Sequence, residues 1–173
     1  MANTQVLIAS EILTSNQATI TFSSIPNTYT DLLLRISARC ADTGTYGGLK
    51  LVFNSDSASN YSYTVLYSGG AGGASDRTAS IANARVPFSI TASDATANTF
   101  GNVEIYIPSY LASQNKPISS FGTSGTVSTS TYLGSSSNLW RNTNAITSIG
   151  ISEIFATNLL SGSSFYLYGI SNS

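Results

Sequence analysis

Histidine is absent from this chain, and cysteine occurs once, at Cys40. Without histidine there is no side chain whose ordinary pKa suits a general base near neutrality, and the commonest zinc ligand is missing. A single cysteine excludes an internal disulfide and fits folding in a reducing compartment. None is required, because a chain of 173 residues buries roughly 70% of the surface its unfolded form exposes. Charge is equally scarce: ionised residues make up 9% of the chain and sum to −1, against about 25% charged residues in ordinary soluble domains. No basic cluster supplies the positive footprint of a nucleic-acid binder. No apolar run approaches the roughly 18 residues of a membrane-spanning helix. The opening MANTQVLIASEIL lacks the basic n-region of a secretory signal. The reading is a chain without nucleic-acid or membrane partners, and without a mark for export.

Serine, threonine, asparagine, glycine and tyrosine take the place of charge, and their pattern has period two. In DLLLRISARC, Leu32, Leu34, Ile36, Ala38 and Cys40 share one face, with Leu33, Arg35, Ser37 and Arg39 opposite. ATITFS, GLKLVF, YSYTVLY, NVEIYI and SFYLYGI alternate in the same way, and VLIASEIL reads as a first strand. ITSIGISEI loses strict alternation at Gly150, which predicts a bulge or a close backbone approach. SSIPNTYTD, ADTGTYGG, NSDSASN, SGGAGGASD, PSYLASQNKP and GSSSN have the chemistry of chain reversal. GGAGG within the fourth of these reads as a mobile loop. The pattern predicts an all-β chain: an antiparallel, jelly-roll-like β-sandwich of about eight to ten strands. Residues 1–173 form a single domain on this reading. Only Lys50 and Lys116 are lysines, so the sheet edges lack the usual lysine guard and a homo-oligomer is expected.

Chemistry is hard to assemble from these residues. Cys40 falls in the core register with no histidine to activate it. Glu11, Glu104 and Glu153 are scattered among strands, where pairing with arginine is commoner than glycosidase catalysis. GGAGGA has neither the lysine nor the following helix of a phosphate loop. In NSDSASN, Asn54, Asp56 and Asn60 are interrupted by Ala58, and neither the glycine nor the closing glutamate of a calcium loop follows. The stretch reads as a connection between strands. Catalytic, metal and cofactor residues are accordingly assigned to none.

Aromatic residues are the remaining candidates. Tyr61 and Tyr63, with Trp140 in a loop, could stack against sugar rings; packing in a core or an interface is the commoner use. Exposure logic alone nominates Arg35 and Arg39 on the outer face of their strand, Tyr46 in GTYGG, and Trp140 with Arg141 as interface residues.

Four segments in order, FSSIPNTYTDLLLRISAR (22–39), LVFNSDSASNYSY (51–63), NLWRNTNAITSIGI (138–151) and GSSFYLYGI (162–170), resemble a recurrent pattern in small structural proteins of tailed bacteriophages. There an isoleucine-proline-x-x-tyrosine lead-in feeds a long strand, an asparagine-x-aspartate hairpin follows, and a leucine-tyrosine-glycine-isoleucine strand closes the chain. The resemblance implies a non-enzymatic virion component assembled in the host cytoplasm. A capsid decoration (cement) protein bound to the major capsid protein is the first reading, trimeric by symmetry matching with the lattice. A tail fibre or tail-associated receptor- or carbohydrate-binding module is the alternative. The resemblance brings no catalytic residues.

Overall fold

The computed structural model describes residues 4–69, 72–125 and 131–171. Among them there is no helix, and twelve strands follow in chain order. They are β1 (Gln5–Ile12), β2 (Thr19–Phe22), β3 (Asp31–Ala38), β4 (Tyr46–Phe53), β5 (Tyr61–Gly69) and β6 (Gly73–Ile81), then β7 (Ala84–Thr91), β8 (Gly101–Ile107), β9 (Lys116–Gly125), β10 (Thr131–Trp140), β11 (Ile149–Glu153) and β12 (Ser164–Ile170). All named pairs are antiparallel. The larger sheet has the order β1-β12-β3-β8-β9-β10-β5-β6 and the smaller one β2-β11-β4-β7.

Setting aside the hairpins β5–β6 and β9–β10 leaves β1-β12-β3-β8 against β2-β11-β4-β7. In that remainder the first strand pairs with the last, the second with the last but one, and so on inward: β1 with β12, β2 with β11, β3 with β8, β4 with β7. A long two-stranded ribbon has rolled up on itself, which is a jelly roll. The expected sandwich is therefore present. Its strand number exceeds the expected range because the two hairpins extend one sheet beyond β8.

Period-two burial drives the assembly. Leu32, Leu34, Ile36 and Ala38 of β3 point inward beside Val103, Ile105 and Ile107 of β8 and Phe165 and Leu167 of β12. Leu49, Leu51 and Phe53 of β4 meet them from the smaller sheet with Ile149 and Ile151 of β11. Cys40 is buried in the same core, as its register predicts.

Where the larger sheet outgrows the smaller one, β7, the edge strand of the smaller sheet, stays paired with β4 and packs across β8, β9 and β10. Three glycines make the crossing possible. A Cβ on Gly134 would stand 2.0 Å from the Pro87 carbonyl oxygen, one on Gly122 2.5 Å from Ser89 Cβ, and one on Gly101 2.5 Å from the Ser89 carbonyl oxygen. Small polar residues fill the space beneath. Ser120 and Ser136 share a hydrogen bond at 2.5 Å, and Asn138 Nδ2 donates to Ser136 Oγ at 2.9 Å. Asn138 also clamps β7 at Arg85: its Oδ1 accepts from the Arg85 amide at 2.7 Å and its Nδ2 donates to the Arg85 carbonyl at 3.0 Å.

Several local expectations change. GSSSN is the middle of β10 and not a turn, because Gly134, Ser136 and Asn138 lie under β7 while Ser135 and Ser137 face outward. Gly150 pairs in regular register with Thr21 and Val52, with neither bulge nor tight approach. In the GGAGG stretch, Gly69 ends β5 and Gly73 opens β6, while residues 70–71 lie outside the described residues. NSDSASN is no hairpin: β4 belongs to the smaller sheet and β5 to the larger, so the stretch is a corner between sheets. Asn54 and Ser55 turn it with φ of 51° and 58°, a conformation that asparagine tolerates better than most residues.

Gly134→Ala is expected to destabilise the fold by about 1–3 kcal/mol through overpacking. Gly125→Ala, whose Cβ would meet nothing within 4 Å, should stay within about 0.5 kcal/mol of the parent. Urea denaturation of both variants checks the pair.

Candidate functional site

The outer face of the larger sheet is built from the residues that alternation leaves outside. Register places Ser10, Tyr166, Arg35, Glu104, Phe121, Ser135, Leu66 and Ser75 in one row across all its strands. Next to it runs a row containing Leu7, Tyr168, Leu33, Tyr106 and Ser119. Leu66, Phe121 and Leu133 stand together on the adjacent strands β5, β9 and β10, in the half of the sheet toward β6, and are 60%, 51% and 40% exposed. A depression of about 680 Å³ beside them has Phe121 on one flank and Tyr166 and Tyr168 on the other. Its floor contains the Arg35–Glu104 ion pair, with Nε to Oε2 at 3.3 Å. Both partners are more than half exposed, so the pair contributes about 0–1 kcal/mol. Tyr106 donates to buried Asp31 at 2.6 Å, and that hydrogen bond, with burial, pushes its hydroxyl up to about 12.

The five residues nominated as an interface do not form one surface. Arg35 lies on the outer face as the alternation predicts. Arg39 does not: it sits one step past β3, where the chain is leaving the sheet, and it is buried. Its guanidinium donates to the carbonyls of Thr96, Ser93 and Ala95 at 2.6, 2.8 and 2.9 Å, and to Thr99 at 3.3 Å. Arg39 thus fastens the loop between β7 and β8 and offers nothing to a partner. Trp140 is the last residue of β10 and is fully buried, not presented by a loop. It packs on Phe53 and Tyr61 with ring centroids 5.5 and 6.2 Å away. Arg141 donates to the carbonyls of Ala79 and Ser59, each at 2.8 Å, tying β6 to the NSDSASN corner. Tyr46 is on the rim of a different aromatic cluster.

Of the sugar-stacking candidates, Tyr61 is buried, accepts a hydrogen bond from the Phe53 amide at 2.9 Å, and has its hydroxyl pKa raised by burial. Tyr61 and Trp140 are therefore core residues. Tyr63 alone remains accessible, and its hydroxyl donates to Asp76 Oδ2 at 2.9 Å.

The cluster with Tyr46 centres on Phe88, a residue that alternation does not single out. Phe88 occupies the irregularity between Gly47 and Leu49 in the β4–β7 pairing and has a φ of 53°. Left-handed backbone at a phenylalanine costs about 1–3 kcal/mol. The bulge re-aims the ring onto Tyr67 and Tyr46, at centroid distances of 4.1 and 4.4 Å. Tyr132 completes the group, 4.4 Å from Tyr46. Phe155 projects beside them, 70% exposed. An aromatic residue in the turn SEIFATN, just where alternation stops, is the signal that finds it.

The ionisable residues do not converge. Burial, joined by the Glu153 and Asp42 carboxylates, pushes the Cys40 thiol up to about 11, too high for a thiolate near neutrality. Glu11 is exposed on β1, Glu104 is paired on the outer face, and buried Glu153 accepts from the Phe155 amide at 2.6 Å. Lys116 is buried and donates to the Ala112 and Gln114 carbonyls, each at 2.6 Å; its burial lowers its pKa. Lys116 in β9 and Lys50 in β4 are both interior strands of their sheets, so neither lysine guards an edge. Among the described residues no group of three or more His, Cys, Asp or Glu could hold a metal ion.

Asp56 of the corner is committed to structure. It accepts from Trp140 Nε1 at 2.8 Å, Asn60 Nδ2 at 3.0 Å and the Ala58 amide at 3.1 Å. Burial alone would raise its pKa; these bonds outweigh burial and hold the carboxyl below its ordinary value.

No known protein family, curated protein or solved structure matches this chain.

Two predictions follow from the interior charges. Arg39→Ala should lose about 2–3 kcal/mol in urea unfolding, the scale of charge-assisted hydrogen bonds, and Arg39→Lys should not restore it because an ammonium cannot span the four carbonyls. For Asp56 the folded carboxyl titrates below the unfolded one, so its stabilisation is complete above the ordinary carboxylate range and is lost as pH falls through the lowered value. Asp56→Asn should therefore melt below the parent at neutral pH, with the gap closing under about pH 4.

Proposed function

We propose that this chain is a non-enzymatic structural protein of a tailed-bacteriophage virion, a capsid decoration (cement) protein that binds the assembled shell. The outer face of the larger sheet is the observation that carries this reading. It is broad, its rows contain few charges, and Leu66, Phe121 and Leu133 stand together on it more than a third exposed. Grouped apolar side chains on an otherwise hydroxyl-rich surface suit contact with another protein better than solvent. The free edge strands β1 and β6 contain no lysine, and a neighbouring subunit would cover them. Dispersed carboxylates, the absence of histidine and the high-pKa thiol fit a part that docks and does not catalyse. The ordered resemblance from Phe22 to Ile170 directs the choice of partner to the major capsid protein, with copies of the chain itself as trimers. Binding only the assembled state would stabilise the shell by mass action.

A tail-associated receptor- or carbohydrate-binding module is the second reading, favoured by the accessible Tyr63 with its hydrogen-bonded Asp76.

Immunogold labelling of purified particles should mark the shell, and capsids lacking the protein should pull it down on sedimentation. Phe121→Asp should weaken that co-sedimentation about tenfold or more, as for a central interface residue. Label confined to the tail would sink the cement assignment.

A further inference from the structure

β5 has two faces with different destinies. Leu66 and Thr64 belong to the outer face, whereas Tyr63, Val65 and Tyr67 point to the other side, where the β5–β6 hairpin overhangs the smaller sheet. A crevice of about 320 Å³ opens there, between the hairpin, the β7 bulge and the turn after β11.

Its walls are apolar and ring-shaped. Phe155 is largely exposed on one side, and Phe88, stacked on Tyr67 with an interplanar angle of 13°, is on the other. Two charged groups of opposite sign line it as well. Asp76 is oriented by the Tyr63 hydroxyl and by the Arg77 amide at 2.7 Å. Arg85 offers an Nε–H that is buried and has no acceptor among the described residues. The one ion pair among those residues is Arg35–Glu104, so Arg85 has no carboxylate partner.

We infer that this crevice is a binding site for a neutral pyranose unit of a glycan. Pyranose rings present a C–H face that stacks on aromatic rings, and the exposed face of Phe155 is free to take it. Sugar hydroxyls both donate and accept, so adjacent hydroxyls can donate to the Asp76 carboxylate and accept from the part of the Arg85 guanidinium that lines the crevice. Asp76 and Arg85 cancel in charge. An anionic ligand would meet the Asp76 carboxylate, and a cationic one the Arg85 guanidinium; a neutral polyol meets neither penalty. The left-handed backbone of Phe88 is the kind of local strain that persists where a surface is shaped for a ligand. The bulge that produces it is what brings that ring to the wall. This inference stands apart from the docking role, since it uses the opposite face of β5, and it deepens the carbohydrate-binding reading, resting on the same Tyr63–Asp76 pair.

Saturation-transfer NMR on the intact protein tests it, with glucose, galactose, mannose, N-acetylglucosamine and glucuronate as separate probes at millimolar concentration. At least one neutral sugar should receive transfer, strongest at the protons of one ring face, and more tightly than glucuronate. Phe155→Ala, at an exposed position, should abolish the transfer. Asp76→Asn should weaken binding about tenfold, which keeps the test decisive if the first variant misfolds. Thr21→Ala, exposed on β2 at the far edge of the smaller sheet, should bind as the parent does. No transfer from any probe, tighter binding of glucuronate, or binding untouched by both crevice variants would overturn the inference. None of these outcomes depends on whether the protein sediments with capsids.

Discussion

The passage of β7 across the larger sheet is the constraint from which the rest of the architecture follows. A jelly-roll ribbon alone would give two matched four-strand layers. Here one layer continues through β9, β10, β5 and β6, and its added inner face needs a cover. β7 supplies part of it by descending onto Gly101, Gly122 and Gly134, where a β-carbon would collide with Ser89 or Pro87. Close approach brings desolvation, so the polar groups beneath must be paired. The Ser120–Ser136–Asn138 chain and the Asn138 clamp on Arg85 meet that demand. The same crossing forces the bulge at Phe88, and the bulge positions the aromatic cluster and one wall of the crevice.

A second constraint sits at the opposite end of the inserted hairpins. The NSDSASN corner must carry the chain from the smaller sheet to the larger, and it does so around one carboxylate. Asp56 gathers the Trp140 indole, Asn60 and its own loop amide. Asn54 Oδ1 accepts from the amides of Thr147 and Ser148 at 2.8 and 3.1 Å, joining the corner to the approach to β11. Residues that by type alone could be metal ligands or sugar contacts are thus spent on joining layers. A carboxylate already accepting this many hydrogen bonds has little capacity left for a cation.

What remains available for function is therefore a matter of surplus. The buried cations Arg39 and Lys116 are spent on backbone carbonyls. The surplus lies on the outer sheet face, with its grouped apolar side chains, and in the crevice, with Asp76, Arg85 and an exposed ring. A protein with both features is suited to sit on one surface while presenting another.

The strands with apolar alternation were legible in the sequence: β2, β3, β4, β5, β8 and β12 bury alternate side chains against a core, and burial leaves its period in the residue types. Fold class and the inert position of Cys40 follow from that period alone. β9 and β10 were not legible as strands in the same way. Their inner positions face a crossing strand at glycine distance, so serine and glycine stand where alternation would place leucine, and GSSSN looks like a turn. Arg39, Trp140 and Tyr61 went unread for a related reason. Side-chain type says that arginine and tryptophan are often exposed, but only the path of the chain after β3, and the meeting of β4, β5 and β10 at the corner, decides that these are enclosed. Local residue pattern determines which face of a ribbon avoids water; how far one sheet overhangs the other, and hence which polar groups are spent and which are left over, is decided only when distant segments pack.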